Sequence, residues 1–211
     1  MHPSVPTQSI KLHRYFLSGH CHRVELFLSL LELPYELVEV NLKAEEQKHP
    51  AFLAMNPFGQ VPVIKDEGII LADSNAILVY LATQYGLDHW LPKDSIAAAA
   101  VQRWLSVAAG WLAFGPAAAR RAALNKTCIT SEIVARSHAL FSVMELELTN
   151  HSFLTGSIPT IADIANYTYC AHAEEGSISL DPYPYLRGWL ERIEALPHFV
   201  PMTRSSIGLA T

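Results

Sequence analysis

Residues 56–62 read NPFGQVP. The last two of them begin an aliphatic run at 61–64, and a second run at 69–71 follows after DEG at 66–68. Short β-type runs around such a turn predict a β-hairpin. Pro62 stands inside the first run, where a proline cannot donate to a central ladder and marks an edge, a bulge or a cis peptide bond. A cis bond would turn the Val61 backbone outward, so that its N–H and C=O could pair with an extended peptide. The alternative is an edge-strand proline without a ligand.

Around this hairpin, strand-like and helical patterns alternate, which predicts a partly parallel sheet of the βαβ type. The helix after the first strand carries an apolar i, i+3, i+4, i+7 stripe and is predicted to end at Pro34. Asp73 and Ser74 begin a later helix, which stops at Gly86. The strands are predicted at 10–16, 35–40, 61–64 and 69–71.

After Pro92 the chain changes character, because nearly every segment has a helical period and alanine becomes the commonest residue. This change predicts a domain boundary between an α/β domain at 1–86 and an all-α domain at 93–211. Apolar residues at helical spacing over 101–112 and 133–148 predict two long helices that pack as an antiparallel pair.

The sequence TIAD at 160–163 is a capping box, which marks the start of another helix. The Thr160 side chain and the Asp163 carboxylate are expected to accept hydrogen bonds from N–H groups that the helix leaves unpaired. This motif is a folding signal and carries no chemistry of its own. A further helix is predicted around Trp189.

Composition excludes several classes of protein. Half of the 211 residues are hydrophobic and 17% are charged, which excludes a disordered chain. No uninterrupted apolar run approaches the roughly 18 residues of a membrane span, so no membrane contact is expected. A formal charge of -5 without a basic run argues against nucleic acid as a partner. Three cysteines without a CxxC pair, and no apolar leader near residue 1, predict a reducing, cytoplasmic location.

Asp73 and Ser74 also suit a ligand. The N–H groups and positive dipole at a helix start can hold a carboxylate, and the Ser74 hydroxyl can add a hydrogen bond. The Asp73 carboxylate can accept from an ammonium group. The pair therefore fits the zwitterionic head of an amino acid, while an ordinary N-cap is the alternative.

Three motifs, in this order and spacing, resemble the glutathione transferase family, in particular cytosolic classes of the serine type found in bacteria. They are NPFGQVP at 56–62, DSNAI at 73–77 and SIPTIAD at 157–163. The resemblance implies a thioredoxin-like N-terminal domain that binds glutathione and an all-α C-terminal domain, with a small hydrophobic electrophile between the two. It also implies a role in detoxification, no metal, and a homodimer for which Phe58 is a candidate anchor.

The resemblance also assigns six candidates for glutathione binding: Lys48, Gln60, Val61, Pro62, Asp73 and Ser74. Val61 would pair with the cysteinyl backbone through the cis-proline loop, and Asp73 and Ser74 would hold the γ-glutamyl end. Family members more often have Glu at the position of Asp73, whose shorter side chain reaches less far. Gln60 and Lys48 are candidates for the glycyl carboxylate, with a solvated surface lysine as the alternative for Lys48.

The group that activates the glutathione thiol is expected near the end of the first strand. Ser18 occupies the position at which the serine-type classes place a hydroxyl that donates to the sulfur and lowers its pKa. Cys21 would lie in the first helical turn, where a cysteine pKa tends to fall, and could form a mixed disulfide or be a buried thiol. His20 and His22 are either donors to a thiolate or polar turn residues. A His-Cys-His metal site is not expected, because adjacent side chains point apart.

The second substrate is expected at the first long helix, where Trp104, Ala108 and Trp111 are predicted on one side with Phe114 nearby. Trp111 or Phe114 would line an apolar pocket, although aromatic residues at this spacing are commonly core. Two other functions stay open: a glutathione-dependent disulfide reductase or peroxidase, if Cys21 contacts the sulfur, and a non-catalytic ligand-binding protein.

Overall fold

The computed structural model describes residues 5–205 and 207–208 and divides the chain into two compact units. The described residues up to Leu91 form the first unit together with Pro197–Met202, and the remaining described residues form the second. The return of Pro197–Met202 to the first unit is not predicted from the sequence. Its contacts with the first unit include hydrogen bonds to α1: His22 Nε2–H donates to the Val200 carbonyl at 2.9 Å, and Ser29 Oγ donates to the His198 carbonyl at 2.7 Å.

A four-stranded sheet forms the centre of the first unit within the described residues. Its strands are β1 (Ile10–Arg14), β2 (Tyr35–Glu39), β3 (Val63–Asp66) and β4 (Ile69–Ala72). The order is β2-β1-β3-β4, with β1 parallel to β2 and β3 antiparallel to both β1 and β4. This mixed sheet and the hairpin confirm the predicted thioredoxin-like α/β class.

Three helices accompany the sheet in the first unit: α1 (Gly19–Leu30), α2 (Pro50–Leu53) and α3 (Ser74–Gln84). The first and third pack against each other and bury the apolar stripes that the sequence shows. Two short 3₁₀ turns, Leu42–Ala44 and Glu46–Lys48, follow β2.

Several predicted boundaries are wrong by one to a few residues; β3, for example, spans Val63–Asp66 rather than 61–64. The first strand ends at Arg14 rather than at Phe16, because the parallel pairing with β2 ends where Arg14 meets Glu39. The helix α1 ends at Leu30, before Pro34 is reached. Its end is made by Glu32, which has a positive φ of 53°, and by the Leu33 N–H, which donates to the Leu28 carbonyl at 3.0 Å.

The second unit is helical, as predicted. Its elements are α4 (Ser95–Val107), a π-helical segment (Ala108–Leu112), α5 (Pro116–Leu124), α6 (Ser131–Leu148), α7 (Ile161–Ala171) and α8 (Pro184–Glu194). The two predicted long helices run antiparallel: Arg103 Nη2 lies 3.0 Å from Glu147 Oε2, and Arg136 lies 5.7 Å from the centre of the Trp111 ring.

The helical stretch Ser95–Leu124 is long and apolar enough to cross a membrane when only length and composition are tested. The sequence prediction missed it because the stretch is rich in alanine and is interrupted by Gln102 and Arg103. Val101, Ala108 and Leu112, which lie in this stretch, are fully buried. A single helix of this kind is weak evidence for a membrane span, because helices of soluble proteins pass the same test.

The predicted capping box at the start of α7 is confirmed. The Thr160 hydroxyl oxygen accepts from the Ala162 N–H at 3.2 Å, and the Asp163 carboxylate accepts from the Thr160 N–H at 2.8 Å. Asp163 also accepts from the Leu154 N–H and from the Trp189 indole N–H, at 2.8 and 2.9 Å. The box therefore joins α7 to the preceding loop and to α8.

Candidate functional site

Ser18 is the N-cap of α1 and is half-buried. Its N–H donates to the Tyr15 carbonyl at 2.9 Å, which fixes the turn after β1. Its hydroxyl oxygen accepts from the Cys21 N–H at 3.3 Å. The hydroxyl thus lies at the positive end of a helix, where a thiolate is stabilised by both the dipole and a donated hydrogen bond.

Cys21 lies in the first turn of α1, but its side chain faces the interior and the residue is only 1% exposed. Burial raises the pKa of the Cys21 thiol to about 11, against the opposing effect of hydrogen bonds from Ser18 and the Tyr15 N–H. The lowered pKa expected at this helix start is therefore not found for Cys21, because desolvation outweighs these hydrogen bonds. A thiol that stays neutral is a poor nucleophile.

The two histidines beside Cys21 have different surroundings. His20 is half-buried, and its Nδ1 lies 3.4 Å from the Ser74 hydroxyl oxygen. This contact brings the start of α1 to the start of α3. His22 is buried, and its bond to the Val200 carbonyl gives it a structural role in anchoring Pro197–Met202.

Asp73 is the N-cap of α3, and its Oδ1 accepts from the Asn75 and Ala76 N–H groups at 3.0 and 2.9 Å. The predicted capping role is therefore confirmed, while its ligand contact stays a prediction. The Asp73 backbone has φ 71° and ψ 122°, which non-glycine residues rarely adopt. Such conformations are concentrated at functional sites. The carboxylate itself is exposed.

Ser74 is buried at the first position of α3, and sequence reasoning missed its main partner. Arg23, on α1, is 1% exposed, and its Nη1 donates to the Ser74 hydroxyl oxygen at 3.2 Å and to the Asn75 Oδ1 at 2.9 Å. The available signal was a charged residue directly beside Val24 in the apolar stripe of α1. A buried guanidinium therefore lies directly behind the proposed carboxylate site.

The loop at 56–62 is shaped by Asn56. Its Nδ2 donates to the Gln60 carbonyl at 2.8 Å, and its Oδ1 accepts from the Phe58 N–H at 3.1 Å. Gly59 has φ 59°, and a Cβ there would lie 2.8 Å from the Gln47 carbonyl oxygen, so the tight turn requires glycine. The Asn56 hydrogen bonds and the turn at Gly59 therefore define the shape of the loop where the cis-proline segment begins.

Lys48 extends over this loop, and its Nζ donates to the Phe58 carbonyl at 3.4 Å. Gln60 belongs to the same loop, and it is exposed. The Val61–Pro62 bond is cis, as predicted. Among the described residues, the Val61 N–H and C=O make no hydrogen bond, so both remain available to a ligand.

The aromatic candidates lie in the second unit. Trp111 is 50% exposed and Phe114 60% exposed, whereas Trp104, Ala108 and Leu112 are buried. The prediction that Trp111 shares a side with Trp104 and Ala108 is therefore wrong. The physical reason is the π-helical segment, whose wider turn places Leu112 rather than Trp111 on the buried face.

The structure thus brings three of the predicted residues together. His20 and Ser74 are in contact, and Asp73 directly precedes Ser74 at the start of α3. Lys48 joins the 56–62 loop, while Cys21 and His22 are turned to the interior. Within 5–205 and 207–208, no group of three or more His, Cys, Asp or Glu side chains is placed to hold a metal ion.

Comparison with known families accounts for most of the chain. Residues 17–84 match the N-terminal domain of glutathione S-transferase, and residues 104–197 match its C-terminal domain. These ranges contain α1, the cis-proline loop and α3 in one unit, and the helices from Trp104 to α8 in the other.

Individual relatives agree with this match. The chain is 30% identical to glutathione S-transferase theta-1 of Bos taurus, over 88% of this chain and 82% of that protein. It is 31% identical to the disulfide-bond oxidoreductase YfcG of Escherichia coli, over 83% and 86% of the two chains. The solved glutathione S-transferase of Pseudomonas fluorescens is 32% identical, with a TM-score of 0.87 over 93% of this chain and 100% of that one. The protein belongs to the glutathione transferase family.

Proposed function

We propose that the protein is a glutathione transferase that joins the glutathione thiolate to small hydrophobic electrophiles. Family membership supports a glutathione-dependent activity. The contrast between two residues at the start of α1 supports the finer assignment: the Ser18 hydroxyl caps the helix, while the Cys21 thiol is buried with its pKa raised to about 11. A hydroxyl donor, rather than a cysteine nucleophile, is therefore the group that acts on the sulfur.

Glutathione would lie along the edge of the first unit. Val61 and Pro62 would hold its cysteinyl backbone, Asp73 and Ser74 its γ-glutamyl end, and Lys48 and Gln60 its glycyl carboxylate. The arrangement is supported by the available Val61 backbone groups, by the helix start at Ser74 and by the ammonium group of Lys48 beside the 58–62 loop. Each charged end of the tripeptide would thus meet groups of opposite charge.

The electrophile would contact Trp111 and Phe114, whose exposed rings offer apolar surface on the second unit. The two substrates would thus bind to different domains: glutathione to the domain at 1–86, and the electrophile to the helical domain at 93–211. We place the protein in the cytoplasm, where glutathione is reduced, and assign it to detoxification.

A second function is favoured by the 31% identity to a disulfide-bond oxidoreductase. In that case the glutathione thiolate would attack a disulfide or a peroxide, with Ser18 still the donor because Cys21 is buried. An aryl halide and a mixed disulfide, assayed with the same preparation, separate the two activities. Conjugation without disulfide reduction supports the transferase, and the reverse result replaces it by the reductase.

Replacement of Asp73 and Ser74 by alanine is expected to weaken glutathione binding, by about 1–3 kcal/mol for each hydrogen bond to a charged group. Calorimetric titration measures this loss. The chain supplies a matched control, since Asp94 and Ser95 form the same dipeptide at the start of α4, where Asp94 is also an N-cap. Asp94→Ala with Ser95→Ala should bind glutathione as the unmodified protein does. Equal affinity in all three proteins would refute the assignment of α3.

We also propose a homodimer with Phe58 as an apolar anchor. Phe58 is 80% exposed at the tip of the 56–62 loop, where a large apolar side chain gains stability by meeting a partner surface. Light scattering over the micromolar range is expected to give the mass of two chains, and Phe58→Ser to shift it toward one chain. The mass of a single chain at every concentration would exclude the dimer.

A further inference from the structure

Arg23 is a buried cation at the start of α3. Its Nη1 donates to the Ser74 hydroxyl at 3.2 Å and to the Asn75 side-chain carbonyl at 2.9 Å. The acceptors of these two hydrogen bonds are neutral oxygens in the first turn of α3. Arg23 is thus joined to the helix start that the proposed function assigns to the γ-glutamyl group.

This placement is electrostatically unusual. The N-terminus of a helix already carries partial positive charge, so a cation beside it is unfavourable, and burial of a guanidinium adds a desolvation cost. The Asp73 carboxylate offsets part of this charge, but it is exposed and its Oδ1 caps the helix. The positive potentials of the Arg23 guanidinium and of the helix start therefore add together at Ser74, and a bound anion would be stabilised there.

The donor and acceptor roles at the Ser74 hydroxyl also favour a bound anion. A guanidinium can only donate, so the Ser74 oxygen must accept from Arg23 and its proton must point elsewhere. His20 Nδ1, at 3.4 Å, is the described neighbour that could take this proton in the absence of ligand. A hydroxyl that accepts from a cation is polarised and becomes a stronger donor. A carboxylate at the helix start would receive that donation.

We propose that Arg23 is a positioning residue that orients and polarises the Ser74 hydroxyl for the α-carboxylate of the γ-glutamyl residue. Arg23 acts through Ser74 and sets specificity for ligands that carry this carboxylate. The proposal rests on the proposed function, because it assumes that glutathione binds at the start of α3. It differs from a general structural role, which would affect every ligand of the site equally.

The test compares two ligands by calorimetric titration: glutathione and 4-aminobutyryl-cysteinyl-glycine, which lacks only the α-carboxylate. The unmodified protein is expected to prefer glutathione by about 100-fold, from hydrogen bonds to a charged group. Arg23→Met should reduce this preference about 10-fold or more, mainly through weaker binding of glutathione. Arg23→Lys keeps the charge and should retain an intermediate preference. Arg121→Met, which removes an exposed arginine of α5, is the control and should keep the full preference.

The outcomes separate this proposal from the proposed function. If the unmodified protein binds neither ligand, the proposed function fails and Arg23 has no such role. If it prefers glutathione and Arg23→Met keeps that preference, or loses affinity for both ligands equally, the role of Arg23 is overturned while glutathione binding stands. Should Arg23→Met fail to fold, nitrogen NMR of the unmodified protein decides. The Arg23 guanidinium signal, assigned by its contacts with Ser74, must then shift with glutathione and not with the analogue.

Discussion

Ser18→Ala is expected to lower conjugation of an aryl halide by about 10- to 1000-fold, which corresponds to about 1.4–4 kcal/mol for a lost hydrogen bond to a developing anion. The physical reason is that the Ser18 hydroxyl is the donor nearest the start of α1 in the proposed mechanism. Without it, the bound thiol ionises less readily at neutral pH. The loss is expected in kcat/KM, with glutathione affinity changed little, as steady-state kinetics and calorimetry can show.

Cys21→Ala is the matched control, since it removes a side chain three residues away on the same helix. Because the Cys21 thiol is buried with a raised pKa, conjugation should change little. The opposite pattern would contradict the mechanism: intact conjugation in Ser18→Ala, together with loss of thiol exchange in Cys21→Ala and a glutathione adduct on Cys21 by mass spectrometry.

Asp163→Ala is expected to destabilise the helical unit by about 3–5 kcal/mol, among the largest effects of a single substitution. The carboxylate is fully buried and accepts from three N–H groups, on Leu154, Thr160 and Trp189, at 2.8 to 2.9 Å. Alanine leaves these donors buried without an acceptor, and each costs about 1–3 kcal/mol. Urea unfolding, followed by circular dichroism, measures the change in the free energy of unfolding.

Asp94→Ala provides the comparison for this prediction. Asp94 is also an acidic residue at a helix start, and its Oδ1 accepts from the Ile96 and Ala97 N–H groups, but it is exposed to water. Water can replace the lost acceptor, so the cost should be only about 0.5–2 kcal/mol. Equal losses for the two substitutions would show that burial of the Asp163 network does not contribute as described.

The sequence predicts most of the fold because its local signals are strong. The hairpin around 66–68, the cis Val61–Pro62 bond and the capping box at Thr160 are all present as expected. Each depends on residues close together in the chain, with geometry fixed by proline, by turn residues or by capping side chains. The mixed sheet follows from the alternation of strands and helices.

Features that depend on distant residues could not be predicted. The bond from Arg23 to Ser74 spans 51 positions, and nothing in the pattern of α1 indicates which element covers its arginine. Whether the pKa of the Cys21 thiol is raised or lowered depends on which side of the first helical turn is buried. Trp111 was misplaced because helical spacing was assumed to continue through a segment that is π-helical.

The pH at which enzyme-bound glutathione ionises tests the central claim most directly. Ultraviolet absorbance of the thiolate is titrated against pH for the unmodified protein and for Ser18→Ala, each saturated with glutathione. The thiol pKa is expected to fall clearly below the value of about 8.5 for a free cysteine in the unmodified protein, and to return toward that value in Ser18→Ala. A bound thiol with an unshifted pKa, or the same lowered pKa in both proteins, would contradict activation by Ser18.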